Sequence, residues 1–242
     1  MAFLQIIASS IILVCLILVV AFYFFQTQIF FYPSKLQAGF KFKLGYRDEE
    51  AFFSTRDGEK LNGLFYGGNR KEVVLYFHGN AGDLSGWQFV AEDFTDCGYN
   101  IFIVDYRGYG KSTGKISENG LYADAEAAYY YLITQKNFPP DKIIIYGRSI
   151  GTGIAIDLAS KHSCRGLVLE SPYTSLQKLA NEKIPFFRPS LLSRGDAAFP
   201  RRFPNRFLLS RFPNRFLSRF LNRFPSGFRS SRFLNRFRSR FA

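Results

Sequence analysis

The stretch Ile143-Ile144-Ile145-Tyr146-Gly147-Arg148-Ser149-Ile150-Gly151-Thr152-Gly153 sets an apolar run directly before a serine framed by glycines. A short run that is apolar on every residue reads as a fully buried strand, and Ile150 to Lys161 reads as a helix. The GxSxG pattern has meaning only in that context, where a strained strand-to-helix turn lifts a serine oxygen to the top of a sheet. Gly147 and Gly151 then stand where side chains would collide with the neighbouring strand and helix. Ser149 itself stands at a helix N-terminus, which favours negative charge. The plainer alternative is an ordinary turn in which Ser149 caps the helix.

Working outward, the same alternation recurs. Val73 to Phe77 ends at His78-Gly79, and Trp87, Val90, Phe94 and Cys97 follow at helical spacing. Ile101 to Val104 ends at Asp105, and Leu121, Ala125, Ala128 and Leu132 mark a helix closed by Pro139-Pro140. Leu167 to Leu169 ends at Glu170, and Ala51 to Tyr66 reads as a hairpin around Asp57-Gly58. Strands apolar on both faces, alternating with amphipathic helices, predict an α/β fold with a mostly parallel sheet covered on both sides. Chemistry in such folds gathers at the carboxyl ends of the strands. The glycine-rich turns HGNAGD, DYRGYGKSTG and GRSIGTG all fall there, as does ESPYTS.

A nucleophile of this kind needs backbone N–H donors for the oxyanion that forms. The turn supplies Ile150. Asn80 is placed to supply the second, because Gly79 lets the backbone approach. GNAG lacks the lysine and spacing of a phosphate-binding loop. Taken together and in order, VVLYFHGNAGD, IVDYRGYGKSTG, YGRSIGTG and LVLESPYTS resemble the alpha/beta-hydrolase superfamily. With the apolar N-terminus, they are similar to its membrane-anchored, domain-containing subgroup. The resemblance spans roughly residues 47 to 193. It implies an eight-stranded sheet, Ser149 as nucleophile, Asn80 and Ile150 as oxyanion donors, and ester, thioester or amide substrates, including lipid and acyl compounds. It implies no cofactor and a triad order of serine, acid, histidine.

The chain departs from that order. After Glu182 the only acidic residue is Asp196, and after His162 there is no histidine. His162 stands some twelve residues along the helix from Ile150, about 18 Å away towards the opposite face of the sheet. His78 is on the correct edge and is the only candidate base, but the resemblance implies that a histidine at this spot is a structural part of the oxyanion loop. Glu170 would be an acid with no histidine to orient, and Asp105 is expected to pin its own turn. The expectation is a serine hydrolase by family whose turnover in this chain is severely impaired, since losing the histidine costs on the order of a millionfold.

Charge is divided unevenly. Up to Ser193 the chain holds 19 Lys and Arg against 18 Asp and Glu; from Arg194 on, 13 Arg face Asp196 alone. The formal +13 therefore belongs to residues 194–242, which repeat Phe, Leu or Pro, Asn or Ser, Arg. Arginine and phenylalanine so interleaved could engage nucleic acid or an anionic membrane. The abrupt junction and near-identical units favour a translated short DNA repeat, so no nucleic-acid partner is expected. Residues 1–34 carry no charged side chain, and Phe3 to Phe25 is long enough to span a bilayer. Lys35, Lys41, Lys43 and Arg47 follow it and place the downstream domain on the cytoplasmic side. Three isolated cysteines offer neither a disulfide framework nor a metal site. The expected organisation is a membrane anchor over 1–32, a juxtamembrane linker over 33–50, a hydrolase domain over 51–193 cut off after about six strands, and a low-complexity, disordered tail over 194–242. The oligomeric state is left open.

Overall fold

A computed structural model describes residues 2–172 and, within the first helix, the side chains of residues 3, 5–7, 9–18, 20 and 21. Glu182, Asp196 and the Arg/Phe-rich segment lie outside the described residues. Helix α1 runs over Ala2–Phe30. Among the described residues, which leave out the side chains of 22–30, no helix is long and apolar enough to cross a membrane. The expected span from Phe3 to Phe25 thus has no direct support there.

Six strands form one sheet: β1 (Glu49–Ser54), β2 (Lys60–Tyr66), β3 (Val73–Phe77), β4 (Asn100–Asp105), β5 (Ile143–Arg148) and β6 (Gly166–Glu170). Their spatial order is β1-β2-β4-β3-β5-β6. The hairpin β1–β2 is antiparallel, as is β2 with β4, and the remaining pairs are parallel. The hairpin turns where Gly58 takes a φ of 90°, a left-handed conformation that glycine adopts without cost. Between the strands lie the short helices α2 (Leu84–Trp87) and α3 (Ala91–Thr95), then α4 (Glu118–Thr134) and α5 (Gly151–Lys161).

Strands β3 and β4 are buried at every residue, and β5 at every residue but Arg148, because both faces of the sheet are covered. Val73, Leu75, Phe77 and Ile145 pack with Leu121, Ala128 and Leu132 of α4 and with Ile154 and Leu158 of α5. Val74, Tyr76, Tyr146 and Val168 pack on the other face with Leu84 of α2, Phe94 of α3 and Val90 between them. Helix α4 starts where Ser117 Oγ accepts the Gly120 N–H, which satisfies a donor that the first turn leaves open. From β3 the chain winds through α2 and α3 to β4 on one side; α4 returns it across β3 to β5 on the other. The turns after β3 and β5 therefore meet at the point where winding reverses, and there a parallel sheet opens a crevice.

Residues 32–36, within or beside the stretch expected to be a linker, are held by the domain. Tyr32 and Pro33 pair in parallel with Ala81 and Gly82. Leu36 N–H donates to Gly110 O, and Gly110 N–H to Ser34 O.

Candidate active site

Strand β5 delivers Ser149 to the crevice. The residue is exposed and adopts a φ of 52°, a left-handed conformation that costs an L-residue about 1–2 kcal/mol. Three hydrogen bonds hold it there. Ser149 N–H donates to Glu170 O at 2.9 Å, while Ser149 O accepts from Thr152 N at 3.0 Å and Thr152 Oγ1 at 2.7 Å. Neither flanking glycine is used for a positive φ. A Cβ on Gly147 would fall 2.5 Å from Gly151 O and 2.7 Å from Thr152 Cα, and one on Gly151 would strike Phe77 O. Strand β5, helix α5 and strand β3 close in on the turn until no side chain fits, and the strain is carried by the serine alone.

The turn after β3 lies against this elbow. A Cβ on Gly79 would stand 3.8 Å from Ser149 Cβ and 3.2 Å from the Trp87 ring. Tyr106 and Tyr109 donate their hydroxyls to His78 O at 2.8 Å and Asn80 O at 2.7 Å. His78 Nδ1 is 2.7 Å from Gly79 O; because a carbonyl can only accept, Nδ1 carries the proton. The peptide joining Gly79 to Asn80 is trans, so its C=O and N–H point in opposite directions. With Gly79 O turned to the buried imidazole, Asn80 N–H is aimed away from it. Ile150, 5% exposed, follows Ser149 at the N-terminal end of α5, where the helix dipole is positive.

His78 is therefore occupied by holding the loop. Its ring is fully buried among Trp87, Tyr106 and Tyr109, and Nε2 faces Asp105 Oδ1 at 3.3 Å. Burial pushes the Asp105 carboxyl above the ordinary carboxylate range, while His78 draws it down. Asp105 does more than pin its own turn: Oδ2 accepts Leu84 N–H at 3.2 Å and so reaches the start of α2. Close by, Gly110 takes a φ of 45°, and a Cβ there would collide with Asp105 Oδ2. His162 stands at the far end of α5, 3.7 Å from Glu126 Oε1 and against the Tyr129 ring.

Glu170 has work that sequence reasoning missed. It lies opposite Arg148 in register, accepts from Tyr146 Oη at 3.0 Å and sits 3.4 Å from Arg148 Nε, while its backbone carbonyl holds Ser149. Burial pushes its carboxyl upward against the pull of Arg148. Equally unforeseen is Arg107, whose guanidinium forks between Asp124 and Asp57 and ties α4 to the hairpin turn. The residue types of DYRGYG gave no sign of this, since the partners are 17 and 50 residues away. Among the described residues no group of His, Cys, Asp and Glu could hold a metal ion.

A family model described as the alpha/beta hydrolase fold matches residues 72–235. The chain is 47% identical over 109 residues to alpha/beta hydrolase domain-containing protein 17C of Xenopus tropicalis, covering 45% of this chain and 35% of that protein. To the human protein 17B it is 43% identical over 115 residues, 46% of this chain and 39% of that one. The chain thus spans little more than a third of the length of these curated relatives. An alpha/beta hydrolase of Vibrio vulnificus superposes with a TM-score of 0.51 at 30% identity, covering 56% of this chain and 49% of that one. An esterase of Pyrococcus furiosus superposes at 0.55 with 23% identity, covering 64% and 61%, a likeness of fold alone. The strand order, the reversal point and the family match agree: this chain belongs to the alpha/beta hydrolase fold family.

Proposed function

We propose that Ser149 is the nucleophile of a membrane-anchored serine hydrolase acting on acyl esters or thioesters, with Asn80 and Ile150 N–H as its oxyanion donors. The observation that carries this reading is the left-handed Ser149 at the β5–α5 turn, pressed against the Gly79–Asn80 loop. A strained, exposed serine held by backbone bonds on one side and a glycine loop on the other has no packing role that would repay its conformation. Neither histidine of these 242 residues can take its proton, since His78 is sealed in the loop and His162 is at the other end of α5. Turnover by this chain alone is accordingly slow, and a scaffold without turnover is the competing reading.

The anchor is supported by α1, whose 29 residues include no Asp, Glu, Lys or Arg. At 1.5 Å per residue it is about 44 Å long. Consecutive side chains Ile11 to Val14 and Leu16 to Leu18 are all exposed, so the helix presents apolar surface on every side. Such a helix needs apolar surroundings all round, which a bilayer provides. The basic residues after it favour the cytoplasmic side for the domain.

The test is covalent labelling of the full chain in micelles with a fluorophosphonate probe. Slow labelling that disappears in Ser149→Ala is expected. Absence of labelling under conditions that label a control hydrolase leaves the scaffold as the better reading.

A further inference from the structure

Segment Phe31–Leu36 joins the end of α1 to the site. Phe31 packs on the core, and Tyr32 and Pro33 pair with Ala81 and Gly82, the two residues that follow Asn80. Ser34 Oγ donates to Asp83, and its N–H to Gly82 O at 3.1 Å. On the other edge Lys35 bridges to Gly110, and its Nζ donates to Ser112 O at 2.7 Å. This strap is held between the Asn80 loop and the loop after β4. Followed along Tyr32, Ala81 and Gly79, Ser149 lies no more than about 26 Å from the end of α1. A domain of this size is roughly 37 Å across, so the end of α1 and Ser149 do not lie on opposite sides of it.

The surface along the strap and the Asn80 loop carries aromatic side chains. Tyr32 is 58% exposed and Phe89 49%, and Phe89 stacks on Trp87 with ring centres 6.3 Å apart. Trp87 Nε1 donates to Ala81 O at 2.8 Å, its ring flanks Gly79, and the Arg148 guanidinium lies 5.3 Å from it. Beyond the strap Lys41 and Lys43 are exposed, while Phe42 and Leu44 between and after them turn inward. Tyr32 and Trp87, rings with an apolar body and one polar atom, suit the headgroup level of a bilayer when set next to cations, and Phe89 adds apolar surface beside them.

We propose that the rim of Tyr32, Trp87 and Phe89 along the Gly79–Asn80 loop lies in the membrane interface, held there by the Phe31–Leu36 strap, so that the site receives acyl esters or thioesters from the adjoining leaflet. The proposal rests on α1 being a membrane anchor, and it makes that anchor a positioning device for the mouth of the site. Trp87 is the chain's only tryptophan and reports the location directly.

The experiment reconstitutes the full chain in phosphatidylcholine vesicles and isolates the bound fraction by flotation. Trp87 emission is then quenched by nitroxide lipids labelled near the headgroup or, separately, by aqueous iodide. Loss of most of the emission to headgroup nitroxide, with protection from iodide, is the expected result. Inserting a flexible Gly/Ser segment between Phe30 and Phe31 should reverse that preference without detaching the chain. The double variant Trp87→Phe with Phe89→Trp moves the reporter to the outer rim and should be quenched at least as strongly. A floating chain whose Trp87 is quenched by iodide and untouched by nitroxide lipids overturns the proposal and leaves the anchor intact. A chain that does not float overturns the anchor reading and the proposal together.

Discussion

Two buried ionic clusters sit at the carboxyl edge of the sheet and differ in what they hold. Asp105 and His78 are both fully buried, and their bonds run to the Gly79 carbonyl and the start of α2, next to Ser149. Arg107 and Asp124 are also buried, but the cluster opens at Asp57, whose side chain is 48% exposed, and its bonds tie the hairpin to α4. In the first cluster a carboxylate fixes the direction of one peptide plane; in the second a guanidinium joins three elements of the fold. The lesson is that breaking the second should cost stability, whereas breaking the first should cost site geometry.

The largest effect is expected from Arg107→Met, which removes one partner of a buried pair and leaves Asp124 uncompensated. About 3–5 kcal/mol of stability should be lost at neutral pH, since an unpaired buried charge costs that much. In a thermal melt of the full chain in micelles this is a fall on the order of 10 °C. A fall no larger than that of an exposed arginine variant would show that the fork does not hold the elements together.

Asp105→Leu should act on the site instead. Without Asp105 the His78 ring and the Gly79 peptide are free to turn, and a misplacement near 1 Å costs about 10²-fold in rate. The fluorophosphonate labelling rate of Ser149 should drop by that factor. Asp105→Asn is the discriminating control. Its amide can donate to Nε2 while its oxygen accepts Leu84 N–H, so labelling should stay close to the wild-type rate. If leucine and asparagine slow labelling equally, the charge of Asp105 matters and its hydrogen bonds do not.

The smallest effects concern pH. Burial pushes the Asp124 carboxyl up to about 6, against the pull of Arg107. The folded chain therefore binds this proton more tightly than the unfolded one, so the contribution is full below about pH 4 and is lost as pH rises to about 6. Asp57 has the opposite sign, because its hydrogen bonds from Arg107 hold it well below the usual carboxylate range. Its contribution is lost as pH falls below about 4. Asp124→Asn should flatten the melting temperature between about pH 4 and 6, and Asp57→Asn should do so only on the acid side. Asp57→Asn should cost under about 1 kcal/mol at neutral pH, as for other half-exposed ion pairs. A wild-type melting temperature that rises from pH 4 to 6 and is unchanged in Asp124→Asn would remove Asp124 from the account.

Much of the architecture could be read from residue order. The runs at Val73, Ile101, Ile143 and Leu167 are strands, and the helical spacing from Leu121 to Leu132 lies within α4. The region from Trp87 to Cys97 was harder. One continuous helix fits its spacing, but the chain makes two short helices joined by a 3-10 turn at Gln88–Val90. Trp87 packs against Gly79 before that break and Phe94 against Tyr76 after it, and local periodicity does not report it. Residues 33–50 read as a juxtamembrane linker. Nothing in their order hints at Tyr32 and Pro33 pairing with Ala81 and Gly82, because two residues of parallel pairing leave no pattern.

Sequence alone determined the family, the direction of the sheet and Ser149 as the residue to test, because burial periods and glycine spacing are local consequences of chain geometry. It also determined that no histidine follows His162 in these 242 residues. Only the tertiary structure decided that the His78 ring is sealed against Asp105, that Glu170 braces the serine, and that the strap after α1 ends at the site. Each of these depends on contacts between residues 21 to 77 positions apart, and such partners are chosen by how elements pack rather than by what lies beside them in the chain.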